Sequence, residues 1–317
     1  MSLWYFKCMN IILFNNPVYF RSMHPLLKHY LKKYILYFKI AGRFSREEKS
    51  RQADLVASYK RSLDKGQLPD LSQTGFKLFS QFEEDGLLLF IFSLIKNPVP
   101  IFLEFGSDDG VNSNSANLHF HHNWTGLFID GNPKAIERGQ YFYRKHGNKK
   151  VERPVFLNSM ITRENINELI RNGGLHGEIG LLSIDIDGND YWVWENITAV
   201  NPQVVIIETH NEFGMYDIVV PYDPDYFYPG KHPDYHGASP VAMTNLAKSK
   251  GYRLIGANEL GFNFIFVRND LIPELPEVSV ESCLLHPSNI EAQRRFEAIK
   301  NWDYMWNRTF EKDGDRA

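Results

Sequence analysis

The chain has 317 residues, 43% of them hydrophobic and 23% charged, enough for one well-buried domain plus an extension. Its net charge of −3 is unevenly spread. Residues 1–46 hold eight Lys and Arg and no acid, leaving 27 basic against 38 acidic residues, a net −11, for the remainder. Such a body is excluded as a nucleic-acid binder by charge.

In the basic front segment, Leu27, Tyr30, Leu31, Tyr34, Ile35 and Phe38 recur at helical spacing, with Lys28, Lys32, Lys33 and Lys39 between them. The pattern predicts a helix over residues 26–40 that either makes a peripheral contact with an anionic membrane surface or packs on protein. A membrane span is not expected, because Lys7, Asn10 and the Asn15-Asn16-Pro17 break interrupt the first apolar stretch. Lys7 and the lack of a small-residue cleavage site also make a poor signal peptide. Cys8 and Cys283 form no disulfide framework, which fits a reducing, cytoplasmic setting. The expected organisation is an extension over 1–71, an α/β domain over 72–270 and a helical tail over 271–317.

The most informative stretch is IFLEFGSDDG, residues 101–110: an apolar run ending in Glu104, a turn at Gly106, then Asp109 and Gly110. A second run, TGLFID, ends in Asp130. Near-continuous apolar runs read as buried parallel strands. A carboxylate just past such a strand is placed to accept hydrogen bonds from a ribose, so the pair predicts a nucleoside-cofactor cleft. Further strand-like runs at 154–161, 180–187 and 202–209 alternate with helical stretches near 133–146, 164–172, 190–198 and 240–250. Asn132-Pro133, Thr162 before Asn165, and Asp190 mark helix starts. YRLIGA and FNFIFVR flank a turn at 258–261 too short for anything but an antiparallel hairpin. The expected fold class is therefore α/β and Rossmann-like: a mostly parallel seven-stranded sheet with an antiparallel terminal hairpin and helices on both faces.

The turn chemistry bears on the cofactor. In a G-x-G-x-x-G dinucleotide turn the second and third glycines admit the pyrophosphate and the helix. Here Asp108 and Val111 occupy those offsets, which argues against a nicotinamide dinucleotide. S-adenosylmethionine lacks phosphate and is cationic at its sulfonium and amino groups, so a turn bearing Glu104, Asp108 and Asp109 suits it.

SQFEEDG (80–86), FLEFGSDDGVNSNSANL (102–118), GLFIDGNP (126–133), LLSIDIDGNDYWVW (181–194) and VVIIETHN (204–211), with the stretch from GASP to FVR, together resemble the FkbM-like methyltransferases. The resemblance spans about residues 72–270 and departs at Glu83, where relatives tend to carry glycine. It implies S-adenosylmethionine as donor and O-methylation of a sugar or glycan-like small molecule.

On that reading Glu104 meets the amino group of the methionine moiety, Gly106 lets backbone pass close to the ligand, and Asp109 and Gly110 belong to the same turn. Asp130 takes the ribose hydroxyls, while Asn158 and Ser159 meet the adenine edge. A basic partner for Glu104 and a helix-capping role for Asp130 are the competing explanations. Asp185 and Asp187 share a side if the strand alternates through them. With Asp190 they either position cofactor and acceptor or bind a divalent metal. Glu208 and His210, at the end of the fifth strand, make His210 the first choice as general base, with Asp187 and Glu208 beside it. The long aromatic connection over 213–237 is expected to bind the acceptor through Tyr222, Asp223, Tyr226, Tyr228, His232 and His236. A nicotinamide oxidoreductase and a non-catalytic cofactor-binding assembly module are the alternatives.

Overall fold

A computed structural model describes residues 40–306. Most of the predicted segment 26–40 lies outside these residues. A unit boundary falls between Ser45 and Arg46. Before it, Ala41–Phe44 forms a 3-10 turn. No helix among the described residues is long and apolar enough to cross a membrane.

The second unit contains helices α1 (Arg46–Asp64), α2 (Glu84–Leu94), α3 (Ala116–His122), α4 (Pro133–His146), α5 (Ile166–Asn172), α6 (Asp190–Asn196), α7 (Pro240–Ser249), α8 (Val280–Cys283) and α9 (Ser288–Phe296). Its strands are β1 (Ile101–Phe105), β2 (Thr125–Asp130), β3 (Val155–Asn158), β4 (Gly177–Ile184), β5 (Val200–Glu208), β6 (Ile218–Val219), β7 (Tyr252–Ala257), β8 (Asn263–Arg268) and β9 (Met305–Trp306). Seven strands form one sheet in the order β3-β2-β1-β4-β5-β8-β7. β1 to β5 pair in parallel, and β8 runs antiparallel to both β5 and β7. This is the Rossmann-like α/β plan expected from the alternating runs.

Strand alternation sorts the side chains. Leu103, Phe105, Leu182, Ile184, Val205 and Ile207 enter one buried core with Ile166, Ile170, Trp194 and Leu246 from α5, α6 and α7. On the other face Phe102, Phe128, Phe156 and Tyr143 of α4 pack ring to ring, with centroids 4.8 to 5.5 Å apart. Helix starts follow local chemistry. The Asn132 side chain caps α4 by accepting from the backbone N–H groups of Lys134 and Ala135. Thr162 and Asn165 exchange side-chain to backbone hydrogen bonds at the start of α5.

The SQFEEDG segment ties the chain before β1 to the sheet. Asp85 Oδ2 accepts the backbone N–H groups of Leu78, Phe79 and Ser80 at 2.7, 2.5 and 2.8 Å. Glu84 Oε1 accepts from Asn258 and Asn263 of the β7–β8 hairpin at 3.1 and 2.8 Å. Glu83 accepts the backbone N–H of Glu259 in the same hairpin.

The tail departs from a single terminal helix. α9 stops at Phe296, and Met305–Trp306 pairs antiparallel with Ile218–Val219. Phe213, Ile218, Tyr235, Phe296, Ile299 and Tyr304 form a second core there. Burying those aromatics against the 213–237 connection competes successfully with helical propensity.

Asp85→Ala would remove one acceptor from three backbone donors in a buried turn, so we expect a loss of about 3 kcal/mol of unfolding free energy in urea titration. An unchanged denaturation midpoint would contradict this role.

Candidate functional site

The carboxyl ends of β1, β2, β4 and β5 bring most of the predicted residues together. Across the sheet Glu104 pairs with Ser183, and Ser183 with Ile206. One pleat farther on, Asp185 and Glu208 therefore emerge on the same face as Glu104. Gly106 adopts φ +67, and a Cβ there would collide with the Asp185 carbonyl oxygen. Its smallness serves the approach of two chain segments, a reason distinct from the ligand contact expected from sequence.

Glu104 is buried and shaped into a loop anchor. Its carboxylate accepts Ser113 Oγ at 3.2 Å, Asn114 N at 3.1 Å and Ser115 N at 2.9 Å. Burial nonetheless raises its pKa to about 7. Asp130 accepts the backbone N–H groups of Asp108 at 2.8 Å and Asn132 at 2.7 Å. It thus clamps the two turns that flank the cleft. Arg138 holds the first turn from the side, donating to Asp108 at 2.9 Å and to Asp109 at 3.3 Å. Gly110, at φ +69, sits against the Phe128 and Phe156 rings. Asn158 Nδ2 and Ser159 N both donate to the Asp130 carbonyl oxygen, at 2.9 and 3.1 Å.

Asp185, Asp187 and Glu208 offer carboxylate oxygens within 4.8 Å of one another. Asp187 reaches the other two by a route other than strand alternation, turning back through φ +57 beyond the end of β4. Asp190 anchors that turn: its two oxygens accept the backbone N–H groups of Ile186 at 2.8 Å and Gly188 at 2.9 Å. Burial, then Asp190, Asp187 and Glu104, raise Asp185 to about 7. Burial and the same crowding, led by Asp185, push Glu208 well above the usual carboxylate range.

His210 stands beside them. Its Nε2 lies 3.9 Å from Glu208 Oε2, and its Nδ1 lies 3.1 Å from Glu212 Oε1. Burial would lower the imidazole, but Glu212, Asp190 and Asp185 raise it on balance. Burial would raise Glu212, and His210 lowers it. Glu212 joins this candidate site without having been singled out from the sequence; its signal is an acid two residues after the histidine, in the 3-10 turn Asn211–Phe213.

The aromatic connection splits. Tyr226 and Tyr228 reach His236, whose ring centroid is 3.9 Å from that of His210. Gly237, at φ +69, allows this, since a Cβ would run into the His210 ring. Burial, then His210, lowers His236 to about 3. The other residues point elsewhere. Tyr222 donates to Glu164 under the Arg163 guanidinium. Asp223 accepts the Asp225 N–H, and its carbonyl accepts Asn189 Nδ2. His232 packs on Trp302. Glu208 Oε2, His210 Nε2, Tyr226 Oη and His236 Nδ1 are buried without a hydrogen-bond partner, so one small region concentrates unsatisfied polar atoms.

No family model and no curated protein matches the chain. Similar solved structures include the N-terminal domain of EvdMO1 with SAH bound, at 12% identity, TM-score 0.38, covering 70% of this chain and 96% of that one. An O-methyltransferase family protein from Burkholderia thailandensis is similar at 14% identity and TM-score 0.35, over 77% and 71% of the two chains. The bifunctional kinase-methyltransferase WbdD is similar at 18% identity and TM-score 0.35, over 55% of this chain and 35% of its own. The chain thus spans about a third of WbdD. With scores this low, the fold is read from the strand order of the chain itself.

The sign of the pH dependence follows from these shifts. Glu104 and Asp185 rise from 4.5 and 3.8 to about 7, so the folded state binds their protons more tightly. Their stabilising contribution is full below about pH 4 and is lost as pH climbs through about 7. Asp185→Asn should flatten that decline in urea midpoints of the ligand-free protein; an identical slope in the variant would refute it.

Proposed function

We propose that this chain is an S-adenosylmethionine-dependent O-methyltransferase of the FkbM-like kind, acting on a hydroxyl of a sugar or glycan-like small molecule. The observation that carries the reading is the convergence of Glu104, Asp130, Asp185, Glu208 and His210 at the carboxyl ends of neighbouring strands, where ligands bind in sheets of this plan. A cleft so rich in carboxylates suits a cationic, phosphate-free donor. It is ill suited to a pyrophosphate, which would face the exposed carboxylate of Asp108 in the turn.

In this reading the Asp130 region receives the ribose and the Glu104 region the methionine end. The acceptor enters between the β4 and β5 ends and the Tyr226–His236 side of the aromatic connection. Its hydroxyl oxygen attacks the methyl carbon in line. The carbon–sulfur bond breaks as the new carbon–oxygen bond forms, and the sulfonium leaves as a neutral thioether. The hydroxyl proton goes to His210 Nε2, which carries the free lone pair when Nδ1–H donates to Glu212. Holding donor and acceptor together supplies much of the remaining acceleration.

Calorimetric titration with S-adenosylmethionine and its demethylated product tests the donor. Asp130→Ala should weaken both, whereas His210→Ala should bind normally and lower kcat by about 100-fold or more on an acceptor found by glycan screening. Because His210 is raised above 6.5, kcat should climb with pH through a value higher than that. Failure of the folded protein to bind either ligand would end the methyltransferase reading.

A further inference from the structure

We infer that Asp185, Asp187 and Glu208 hold a divalent cation of the oxygen-preferring class, Mg2+ or Mn2+, beneath the His210 imidazole. The site's existence stands on the geometry alone, while its use, orienting and polarising the acceptor hydroxyl, rests on the methyltransferase reading.

Three carboxylate oxygens lie within 4.8 Å of one another, close enough to share one ion. Among the described residues no Lys or Arg forms an ion pair with any of the three, and the basic side chain beside them is His210, with Nε2 3.9 Å from Glu208 Oε2. Like charges so close are unfavourable unless a cation or donor groups compensate. Here the donors go elsewhere: Ile186 N and Gly188 N are taken by Asp190, and Glu208 Oε2 is buried without a partner.

The second observation is the imidazole itself. His210 is 6% exposed, its Nε2 has no hydrogen-bond partner, and that atom is aimed at Glu208 Oε2 from 3.9 Å. Behind it Glu212 fixes the ring through Nδ1, as carboxylates fix imidazoles that face metals. An unsatisfied, oriented nitrogen facing an unsatisfied Glu208 oxygen, with the carboxylates of Asp185 and Asp187 beside it, implies a small polar or cationic occupant.

The turn supports the same conclusion. Asp187 is a non-glycine residue held at φ +57, and the Asp190 carboxylate keeps it there. That conformation costs about 1 kcal/mol or more and turns Asp187 back toward Asp185. His210, Glu212 and His236 form a neighbouring cluster within the same distance. In it, however, Glu212 is already engaged with His210 Nδ1, which leaves that group poorer in free donors. Oxygen-rich ligation with no cysteine present favours Mg2+ or Mn2+ over Zn2+.

The test is titration of the full-length, chelator-treated chain with Mn2+, without S-adenosylmethionine, reading free Mn2+ by electron paramagnetic resonance. One ion per chain is expected. Asp187→Asn, which alters an exposed side chain, and Glu208→Gln should each weaken it by about tenfold or more. Glu291→Gln on α9 should leave it unchanged, and circular dichroism verifies that each variant is folded. Absence of Mn2+ binding by the folded wild type, or wild-type affinity retained in both Asp187→Asn and Glu208→Gln, would overturn the assignment. So would loss of the ion with His236→Ala but not with Asp187→Asn, which would move it to the neighbouring cluster. Calorimetry with the demethylated cofactor product on the same samples separates the two ideas. Product binding without Mn2+ binding sinks the ion and keeps the methyltransferase, and the reverse keeps the ion and sinks the methyltransferase.

Discussion

The close approach of the β1 and β4 ends, where the Gly106 backbone runs against the Asp185 carbonyl, is the constraint on which the rest of the site depends. It draws two strand-terminal turns together in the middle of a parallel sheet. Because side chains alternate along each strand, the register that pairs Glu104 with Ser183 and Ser183 with Ile206 also sends Asp185 and Glu208 to the same face. Were the register of either strand to slip by one residue, its carboxylate would turn into the apolar core on the opposite face.

That geometry concentrates negative charge, and the surrounding structure manages it unevenly. Glu104 and Asp190 are satisfied by backbone donors and act as anchors for loops. Asp130 plays the same part between the first two turns, with Arg138 bracing Asp108 and Asp109. Glu208 and His210 are left with unpaired buried atoms. Buried polar groups are normally satisfied, so the contrast separates the acids that anchor loops from buried groups of the candidate site that still lack a partner.

Two distant segments hold this cleft in place. Before the sheet, Asp85 shapes its own turn, and Glu84 and Glu83 reach across to the β7–β8 hairpin. After it, α9 and β9 cover the aromatic connection, burying Phe213 and Tyr235 and pairing with β6. The connection is consequently fixed at both ends, while Phe227 and Tyr228 between them remain exposed near the site.

Much of this was legible in the sequence. Apolar runs of period two or fully buried character, alternating with helical spacing, specify the strands and helices through local interactions, and polar residues that end such runs mark Glu104, Asp130, Asp185 and Glu208. The short turn before β8 likewise dictates an antiparallel hairpin. The tertiary structure alone decided the rest. Asp187 joins Asp185 through a left-handed turn pinned by Asp190, Glu212 orients His210, and Tyr226 arrives at His236 while Tyr222 and His232 turn away. The helical pattern of the tail yields to a strand whose partner lies far upstream. Local periodicity records what neighbouring residues prefer, whereas these outcomes depend on which distant groups meet and which buried donors remain to be satisfied.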